Sequence, residues 1–302
     1  VRSRACTSTI DESNGYGVMS SKPALLADVV ALDDARTDRG EGAAGDVALL
    51  AEIVPASCVD GPGNRFAVFF QGCDFDCLAC HNPHTIPQRK VGTSYLATLD
   101  DVVGQLRDAE PFVSGVTMSG GEATLQWRFV RRLFEAIKSD PQLARLTTLV
   151  DSNGNATLDV WDALAPSMDG AMIDLKAFDP DLHLELTRRP NDRVLDSIRH
   201  LAGLGKLHEI RLLLIPGVND TDEELVPIAR WLAGVDPSVR VRLNGFRRIG
   251  TRLLACGFED ATPAHLVAAA ETLARHGLYP DAITCWSPTE PTPADEARRI
   301  AV

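Results

Sequence analysis

The sequence of 302 residues contains no long uninterrupted apolar run, and basic residues are outnumbered by acidic ones. Without about 18 consecutive apolar residues, a membrane-spanning helix is excluded. The 30 Lys and Arg against 42 Asp and Glu give a net charge of −12, which argues against a broad nucleic-acid surface. A basic start followed by an apolar block is also missing, so we expect a cytoplasmic protein. The 45% hydrophobic content is instead typical of a globular chain with a sizeable core.

The chain has seven cysteines, and three of them lie within eight residues. Because no export signal is evident, we expect reduced thiols rather than disulfides. Cys73, Cys77 and Cys80 have the spacing CxxxCxxC, and they directly follow an apolar run. The sequence therefore predicts a metal or redox site in a reducing compartment.

Short apolar runs alternate with helical patterns through most of the chain. The predicted strands are 66–70, 116–118, 147–150, 171–173, 210–215 and 239–243, with a weaker one at 282–284. Six or seven such βα units predict an α/β fold with a parallel sheet covered by helices. In such a fold, catalytic groups collect at the carboxyl ends of the strands.

The two ends of the chain have a different composition from its middle. Residues 1–46 are rich in Ser, Asp, Gly and Ala with weak apolar patterning, and we expect a disordered extension there. Residues 287–293 contain three prolines, which predicts a flexible tail over 287–302. A single catalytic domain is predicted between them, over 47–286.

Three thiolates on one loop admit two kinds of metal centre. They can ligate three irons of a 4Fe–4S cube and leave the fourth iron open to an outside ligand. The alternative is a zinc site of three cysteines and His81, since structural zinc normally takes four protein ligands. The adjacency of His81 to Cys80 makes it difficult for both to bind one ion.

Polar residues follow the later predicted strands. After 116–118 comes Ser-Gly-Gly-Glu-Ala, in which Glu122 can accept a hydrogen bond from an ammonium, although a simple turn explains the glycines equally well. Asp174 and Lys176 interrupt an apolar strand and share one face by the period of two. Charged groups on a buried strand are usually paired or bind something. Arg211 and Arg247 add cationic groups at the same edge, and Arg211 is equally well explained as a structural ion-pair partner.

The CxxxCxxC loop together with the Gly-Gly-Glu turn resembles the radical S-adenosylmethionine (SAM) superfamily. Within it, residues 57–66, 69–73, 80–82, 116–123, 151–154 and 174–176 are similar to blocks of the activases of glycyl radical enzymes, of the pyruvate formate-lyase activase kind. The resemblance runs in register over about residues 50–250. The stretches 149–153, 170–177 and 205–217 resemble most closely the YjjW-type branch.

The resemblance implies a partial (β/α)6 barrel, one 4Fe–4S cluster ligated by Cys73, Cys77 and Cys80, and bound SAM. The implied cofactor contacts are Ala79, His81, Gly120, Gly121, Glu122, Asp151, Ser152, Asp174, Leu175, Lys176 and Arg247. Lys176, Asp60 and Arg211 are the implied catalytic residues, with Lys176 facing the cofactor carboxylate and Asp60 near an incoming glycyl loop. A monovalent cation is implied at Asp151, Ser152, Met172 and Asp174.

The implied activity is anaerobic: reductive cleavage of SAM, then hydrogen abstraction from a glycine Cα of a glycyl radical enzyme. A flavodoxin-like or ferredoxin-like protein would supply the electron, and neither nucleic acid nor membrane is expected as a partner.

Two features depart from the family pattern. Residues 246–250 lack the histidine that the activases carry, and no cysteine-rich insert follows the CxxxCxxC loop, so we expect one cluster rather than three. Two alternatives stay open: a radical SAM enzyme acting on a small molecule or nucleoside, and a non-catalytic zinc or iron–sulfur module.

Overall fold

A computed structural model describes residues 45–286. The predicted extension over 1–46, except for its last two residues, and the predicted tail over 287–302 lie outside the described residues.

Within residues 45–286, nine strands form one mixed sheet. They are β1 (Val47–Ser57), β2 (Arg65–Phe70), β3 (Tyr95–Thr98), β4 (Gly115–Gly120), β5 (Thr147–Ser152), β6 (Gly170–Asp174), β7 (Leu207–Leu214), β8 (Val241–Gly245) and β9 (Ile283–Trp286). Their order in the sheet is β3-β1-β2-β4-β5-β6-β7-β8-β9. In the part of the chain that the structure describes, seven α-helices connect the strands: α1 (Leu99–Ala109), α2 (Trp127–Ser139), α3 (Leu158–Leu164), α4 (Pro180–Thr187), α5 (Asp192–Gly203), α6 (Asp222–Val235) and α7 (Pro263–Arg275).

The parallel part of the sheet confirms the predicted fold class, an α/β partial barrel. Strands β2 and β4 to β9 pair in parallel in chain order. Because consecutive parallel strands are joined by helices, all their carboxyl ends meet at one edge. This edge carries the residues discussed below.

Two antiparallel strands, β1 and β3, were not predicted. β1 pairs with β2 on one side and with β3 on the other. The β1–β2 register shifts twice, and β1 contains Pro55, so its sequence lacks the regular alternation from which a strand is recognised. The predicted start of β8, at residue 239, lies two residues before its observed start at Val241. The predicted start of β9, at residue 282, lies one residue before its observed start at Ile283.

The helix starts follow the sequence signals. Thr98 forms a capping box at the start of α1: its hydroxyl accepts from the N–H of Asp101, whose carboxylate accepts from the N–H of Thr98. Pro227 left the start of α6 uncertain from the sequence. The helix runs through it from Asp222.

Each parallel strand sends alternate side chains to two different environments. On β6, Ala171 and Ile173 belong to the main apolar core beneath the helices, whereas Met172 and Asp174 point into the barrel interior. The strands are buried on both faces, as their continuous apolar runs predicted, but only the face toward the helices is uniformly apolar. The inner face holds the charged groups.

Among residues 45–286, no helix combines the length and the apolar character that crossing a membrane requires.

Candidate active site

The loop after β2 carries the three clustered cysteines and is held in place by the end of α4. The N–H of Asp76 donates to the carbonyl of Thr187 at 3.0 Å, and the N–H of Leu78 donates to the carbonyl of Leu186 at 2.9 Å. We call residues 71–83 the cysteine loop. Backbone pairing to a helix end fixes its path without using the cysteine side chains.

A cavity of about 210 Å³, partly open to solvent, lies between the cysteine loop and the carboxyl ends of β4 to β6. Among the predicted site residues, its walls include Cys73, Cys77, Ala79, Cys80, His81, Gly120, Gly121, Glu122, Asp151, Ser152, Asp174 and Lys176. Cys73 and Lys176, 103 positions apart in sequence, thus meet in one space, because the parallel strands bring their ends together.

The three thiols are half-buried, and none forms a disulfide. Burial raises the pKa of Cys77 to about 12 and raises the pKa values of Cys73 and Cys80. The thiols therefore stay protonated until a metal displaces the protons. Half-buried thiols that form no disulfide and line one cavity fit the ligand set of an iron–sulfur cluster.

The zinc alternative requires four donors converging on one ion. Within residues 45–286, no group of three or more His, Cys, Asp or Glu side chains has that arrangement. The Nε2 atom of His81 donates to the carbonyl of Arg247 at 3.0 Å, which leaves only Nδ1 for a metal. A cube binds each thiolate through a different iron, so its ligands need not converge, and the arrangement fits a cluster better than a zinc ion.

Asp74, which sequence reasoning missed, anchors the cysteine loop to the loop after β5. Its two carboxylate oxygens accept from the side-chain amides of Asn153 at 2.8 Å and of Asn155 at 2.6 Å. The amide nitrogen of Asn153 also lies 3.8 Å from the sulfur of Cys73. The only feature of the sequence that pointed to this contact was the Asp-Ser-Asn-Gly stretch over 151–154, which by itself is equally typical of a turn.

Gly120, the last residue of β4, and Gly121, which follows it, permit close backbone packing. The N–H of Gly121 donates to the carbonyl of Phe70, and the N–H of Glu122 donates to that of Gly72, both at 2.8 Å. A Cβ on Gly121 would lie 2.2 Å from the Gly72 carbonyl oxygen. Since the N–H of Gly121 is used within the protein, Gly121 can offer a ligand only its carbonyl oxygen, which suits an ammonium.

Glu122 is almost fully buried and its carboxylate is held by four donors. One oxygen accepts from the N–H and hydroxyl of Thr124 and from the hydroxyl of Ser152, and the other accepts from the N–H of Asn153 at 2.8 Å. Burial, with the negative charge of Asp74, raises the pKa of Glu122 to about 7. The side chain ties the β4 turn to the end of β5, and its cofactor contact stays a prediction.

Lys176 and Asp174 form an ion pair at the cavity wall, as the period of two along the strand predicted. The Lys176 ammonium lies 2.7 Å from the Asp174 carboxylate. Burial acts to lower the pKa of Lys176, but the charge and hydrogen bond of Asp174, together with the neighbouring Cys77 and Cys80, outweigh it and the net pKa is raised. Asn219, also missed, donates from its amide to the carbonyl of Lys176 at 3.0 Å. The lysine is thus a fixed, fully charged cation.

Arg211 lies inside the barrel and connects several predicted residues. Its guanidinium is 3.0 Å from the carboxylates of Asp151 and Glu209 and 3.0 Å from the sulfur of Met172. Burial acts to lower the pKa of Arg211, but the charges of Asp151, Asp174 and Glu209 together outweigh it, so the net pKa is raised. The guanidinium therefore contacts two of the four residues predicted to hold a monovalent cation and supplies positive charge there itself.

The remaining predicted residues lie outside the cavity wall. Asp60 accepts a hydrogen bond from the Ser57 hydroxyl at 2.5 Å, and its charge acts on Asp151 in the barrel interior. Leu175 is buried in the main core. The guanidinium of Arg247 lies 5.6 Å from the centre of the Trp286 ring. Their predicted roles stay predictions.

Comparison with known proteins agrees with this geometry. The family model described as the Radical SAM superfamily matches residues 67–232. The pyruvate formate-lyase-activating enzyme of Staphylococcus epidermidis is 32% identical over 215 residues, which cover 67% of this chain and 82% of that protein. That of Staphylococcus aureus strain USA300 is 31% identical over the same shares. A radical SAM methyltransferase from Sphaerobacter thermophilus, 18% identical, has a TM-score of 0.58 and covers 86% of this chain and 83% of its own, which concerns the fold alone.

Proposed function

The chain belongs to the radical SAM superfamily and is related to pyruvate formate-lyase-activating enzymes, and on that premise we propose that it activates a glycyl radical enzyme. The observation that carries the proposal is that three free thiols, a fixed ammonium and a pair of glycines line the same cavity. Identity above 30% over four-fifths of a known activase supports the glycyl radical enzyme as the class of partner. The YjjW-type branch stays a prediction.

The cysteine loop is proposed to hold one 4Fe–4S cluster through Cys73, Cys77 and Cys80. When bound, cluster and SAM together supply one-electron cleavage of a carbon–sulfur bond, giving methionine and a 5′-deoxyadenosyl radical. The chain contributes placement and exclusion of water, because a reactive radical must be kept within about 3–4 Å of the hydrogen that it removes.

The two sides of the cavity fit the two charged groups of an amino acid such as the methionine part of SAM. Lys176 is a fixed cation that can bind a carboxylate, and Asp174 holds its ammonium at 2.7 Å. The carbonyls of Gly120 and Gly121 can accept from an ammonium, while Glu122 keeps the turn that carries them in place. Arg211 neutralises the acidic barrel interior next to this space.

The test is anaerobic reconstitution with iron and sulfide, followed by incubation with SAM, dithionite and a panel of glycyl radical enzymes. We expect about four irons per chain, release of 5′-deoxyadenosine and a glycyl doublet in the electron paramagnetic resonance spectrum of one panel member. Cys77→Ala should abolish all three signals. Cys285→Ala, which changes an exposed thiol outside the loop, should leave them intact.

Two other outcomes would contradict the proposal in different ways. Cleavage of SAM without a glycyl signal from any panel member would leave a radical SAM enzyme that acts on a small molecule or nucleoside. One zinc per chain and no cleavage would indicate the non-catalytic module.

A further inference from the structure

The loop after β5 places a buried side-chain amide directly beside the cysteine loop. Asn153 is 7% exposed and lines the cavity. Its backbone N–H donates to the carboxylate of Glu122 at 2.8 Å, and its side-chain oxygen accepts from the backbone N–H of Asn155 at 2.8 Å. The oxygen end of the amide is therefore in use within its own loop, and the nitrogen end is the one that faces the cysteine loop.

The amide nitrogen of Asn153 carries two hydrogens, and two acceptors lie next to it. One is the carboxylate of Asp74 at 2.8 Å, and the other is the sulfur of Cys73 at 3.8 Å. Hydrogen bonds to sulfur are longer than those to oxygen because the sulfur atom is larger. Within residues 45–286, this nitrogen has no third acceptor, so Cys73 is the acceptor for the hydrogen that Asp74 does not take.

Asp74 is held firmly enough to orient this amide. Its second carboxylate oxygen accepts from the side-chain amide of Asn155 at 2.6 Å, and its backbone carbonyl accepts from the guanidinium of Arg189 at 2.8 Å. An acceptor that is fixed on both sides also fixes the group that donates to it. Asp74 is thus a positioning residue for Asn153.

The three cysteine sulfurs differ in their hydrogen-bond donors. Cys73 accepts from the backbone N–H of Phe75 at 3.4 Å in addition to Asn153, and Cys80 has a backbone donor as well, whereas Cys77 has none. In the part of the chain that the structure describes, no side chain other than that of Asn153 donates to any of the three sulfurs. A single substitution can therefore remove this donor and leave the backbone donors unchanged.

We propose that Asn153, positioned by Asp74, donates its second amide hydrogen to the Cys73 thiolate and thereby raises the reduction potential of the cluster; this rests on the proposed function. Reduction adds negative charge to a cluster and its thiolates, and hydrogen bonds to the sulfurs stabilise the more negative state. The carboxylate of Asp74, one residue from Cys73, opposes reduction by its charge. Its hydrogen bond to Asn153 makes the same carboxylate the support of a donor that favours reduction.

The alternative is that Asn153 only anchors the cysteine loop through Asp74. Asn155 is the matched control, because its amide donates to the other oxygen of the same carboxylate and to no cysteine sulfur. Asn153→Ala and Asn155→Ala each remove one amide donor from Asp74. Only Asn153→Ala also removes a donor from Cys73.

The test is a redox titration of the reconstituted cluster without SAM, in which the electron paramagnetic resonance signal of the reduced state is followed against the potential of mediator dyes. We expect Asn153→Ala to lower the equilibrium constant for one-electron reduction about tenfold, which corresponds to about 59 mV. Asn155→Ala should keep the wild-type potential. In urea, both metal-free variants should be less stable than metal-free wild type, because each loses a hydrogen bond to a carboxylate. A purely structural role would change only this stability.

A second measurement uses wild type as well as the variants. Protein whose asparagine side-chain amides carry nitrogen-15 should show coupling of that nitrogen to the reduced cluster in pulsed electron paramagnetic resonance. The coupling should persist in Asn155→Ala and disappear in Asn153→Ala. If Asn153→Ala does not fold, Asn153→Leu, which keeps most of the side-chain volume, takes its place in both measurements.

Three results would each overturn the proposal: a wild-type potential in Asn153→Ala, an equal fall of the potential in Asn155→Ala, or no coupling to an asparagine amide in wild type. Zinc in place of iron, with no signal on reduction, would overturn it together with the proposed cluster. Failure of the proposed function gives a different result, because the fall in potential would then occur in a chain that never yields a glycyl radical.

Discussion

The ionisation of Glu122 offers the sharpest quantitative test of the site geometry. Its carboxylate is 1% exposed and is surrounded by donors from Thr124, Ser152 and Asn153. Despite these donors, burial and the charge of Asp74 raise its pKa from 4.5 to about 7. Folding therefore favours the protonated form of this residue.

The sign and the size of the effect follow from linkage. A group whose pKa is raised on folding contributes stability that is complete below its unfolded pKa and is lost as pH rises through its folded pKa. For Glu122 the loss falls between about pH 4.5 and pH 7 and amounts to about 3 kcal/mol in total, at roughly 1.4 kcal/mol per pH unit. Above pH 7 the contribution is constant.

The perturbation is Glu122→Gln. The glutamine oxygen can still accept from Thr124 and Ser152, but its amino group meets the N–H of Asn153. That mismatch costs about 1–3 kcal/mol at every pH. The free energy of unfolding of the variant therefore differs from that of wild type in two ways: by a constant amount at every pH, and by the absence of the pH dependence that Glu122 causes. Only the second difference reports the pKa of Glu122.

The assay is urea unfolding of metal-free, reduced protein across about pH 5 to pH 8, comparing wild type, Glu122→Gln and Glu185→Gln. Glu185 is exposed on α4, so its variant should run parallel to wild type. The free energy of unfolding of wild type relative to Glu122→Gln should fall by about 2–3 kcal/mol as pH rises over this range. Parallel curves for wild type and Glu122→Gln would refute the reasoning.

Three further predictions concern other parts of the site. Gly121→Ala should prevent stable folding or lower the free energy of unfolding by more than about 3 kcal/mol, because its Cβ would lie 2.2 Å from a backbone carbonyl oxygen. The control is Gly104→Ala, which lies in α1 with open space around it. It should raise the free energy of unfolding by up to about 1 kcal/mol in the same urea titration. Arg211→Met should lower the free energy of unfolding by about 3–5 kcal/mol, because it leaves Asp151 buried and without its ion-pair partner. Arg211→Lys should restore part of that free energy. An unfolding free energy equal to that of wild type in Arg211→Met would contradict the assigned role. Lys176→Met should weaken SAM binding at least about tenfold in equilibrium dialysis while iron content stays normal, and unchanged binding would remove the lysine from the site.

Much of this architecture was predictable because its signals are local. The parallel strands were recognised from continuous apolar runs, and the pairing of Asp174 with Lys176 follows from the strand period. The antiparallel strand β1 was missed because Pro55 and two register shifts interrupt its pattern. Asp74 and Asn219 were missed because an isolated acidic or amide residue in a loop has no distinctive spacing.

The amino-acid sequence by itself determined which chemistry the chain carries: the spacing of the three cysteines, the glycine pair and the charges at strand ends are set by neighbours within a few residues. Only the tertiary structure decided which groups are partners. The contact of Arg211 with Asp151 joins residues 60 positions apart, and that of Arg252 with Asp76 joins residues 176 apart. Such pairs depend on strand register and on how a loop folds back over the sheet, and no local pattern encodes either.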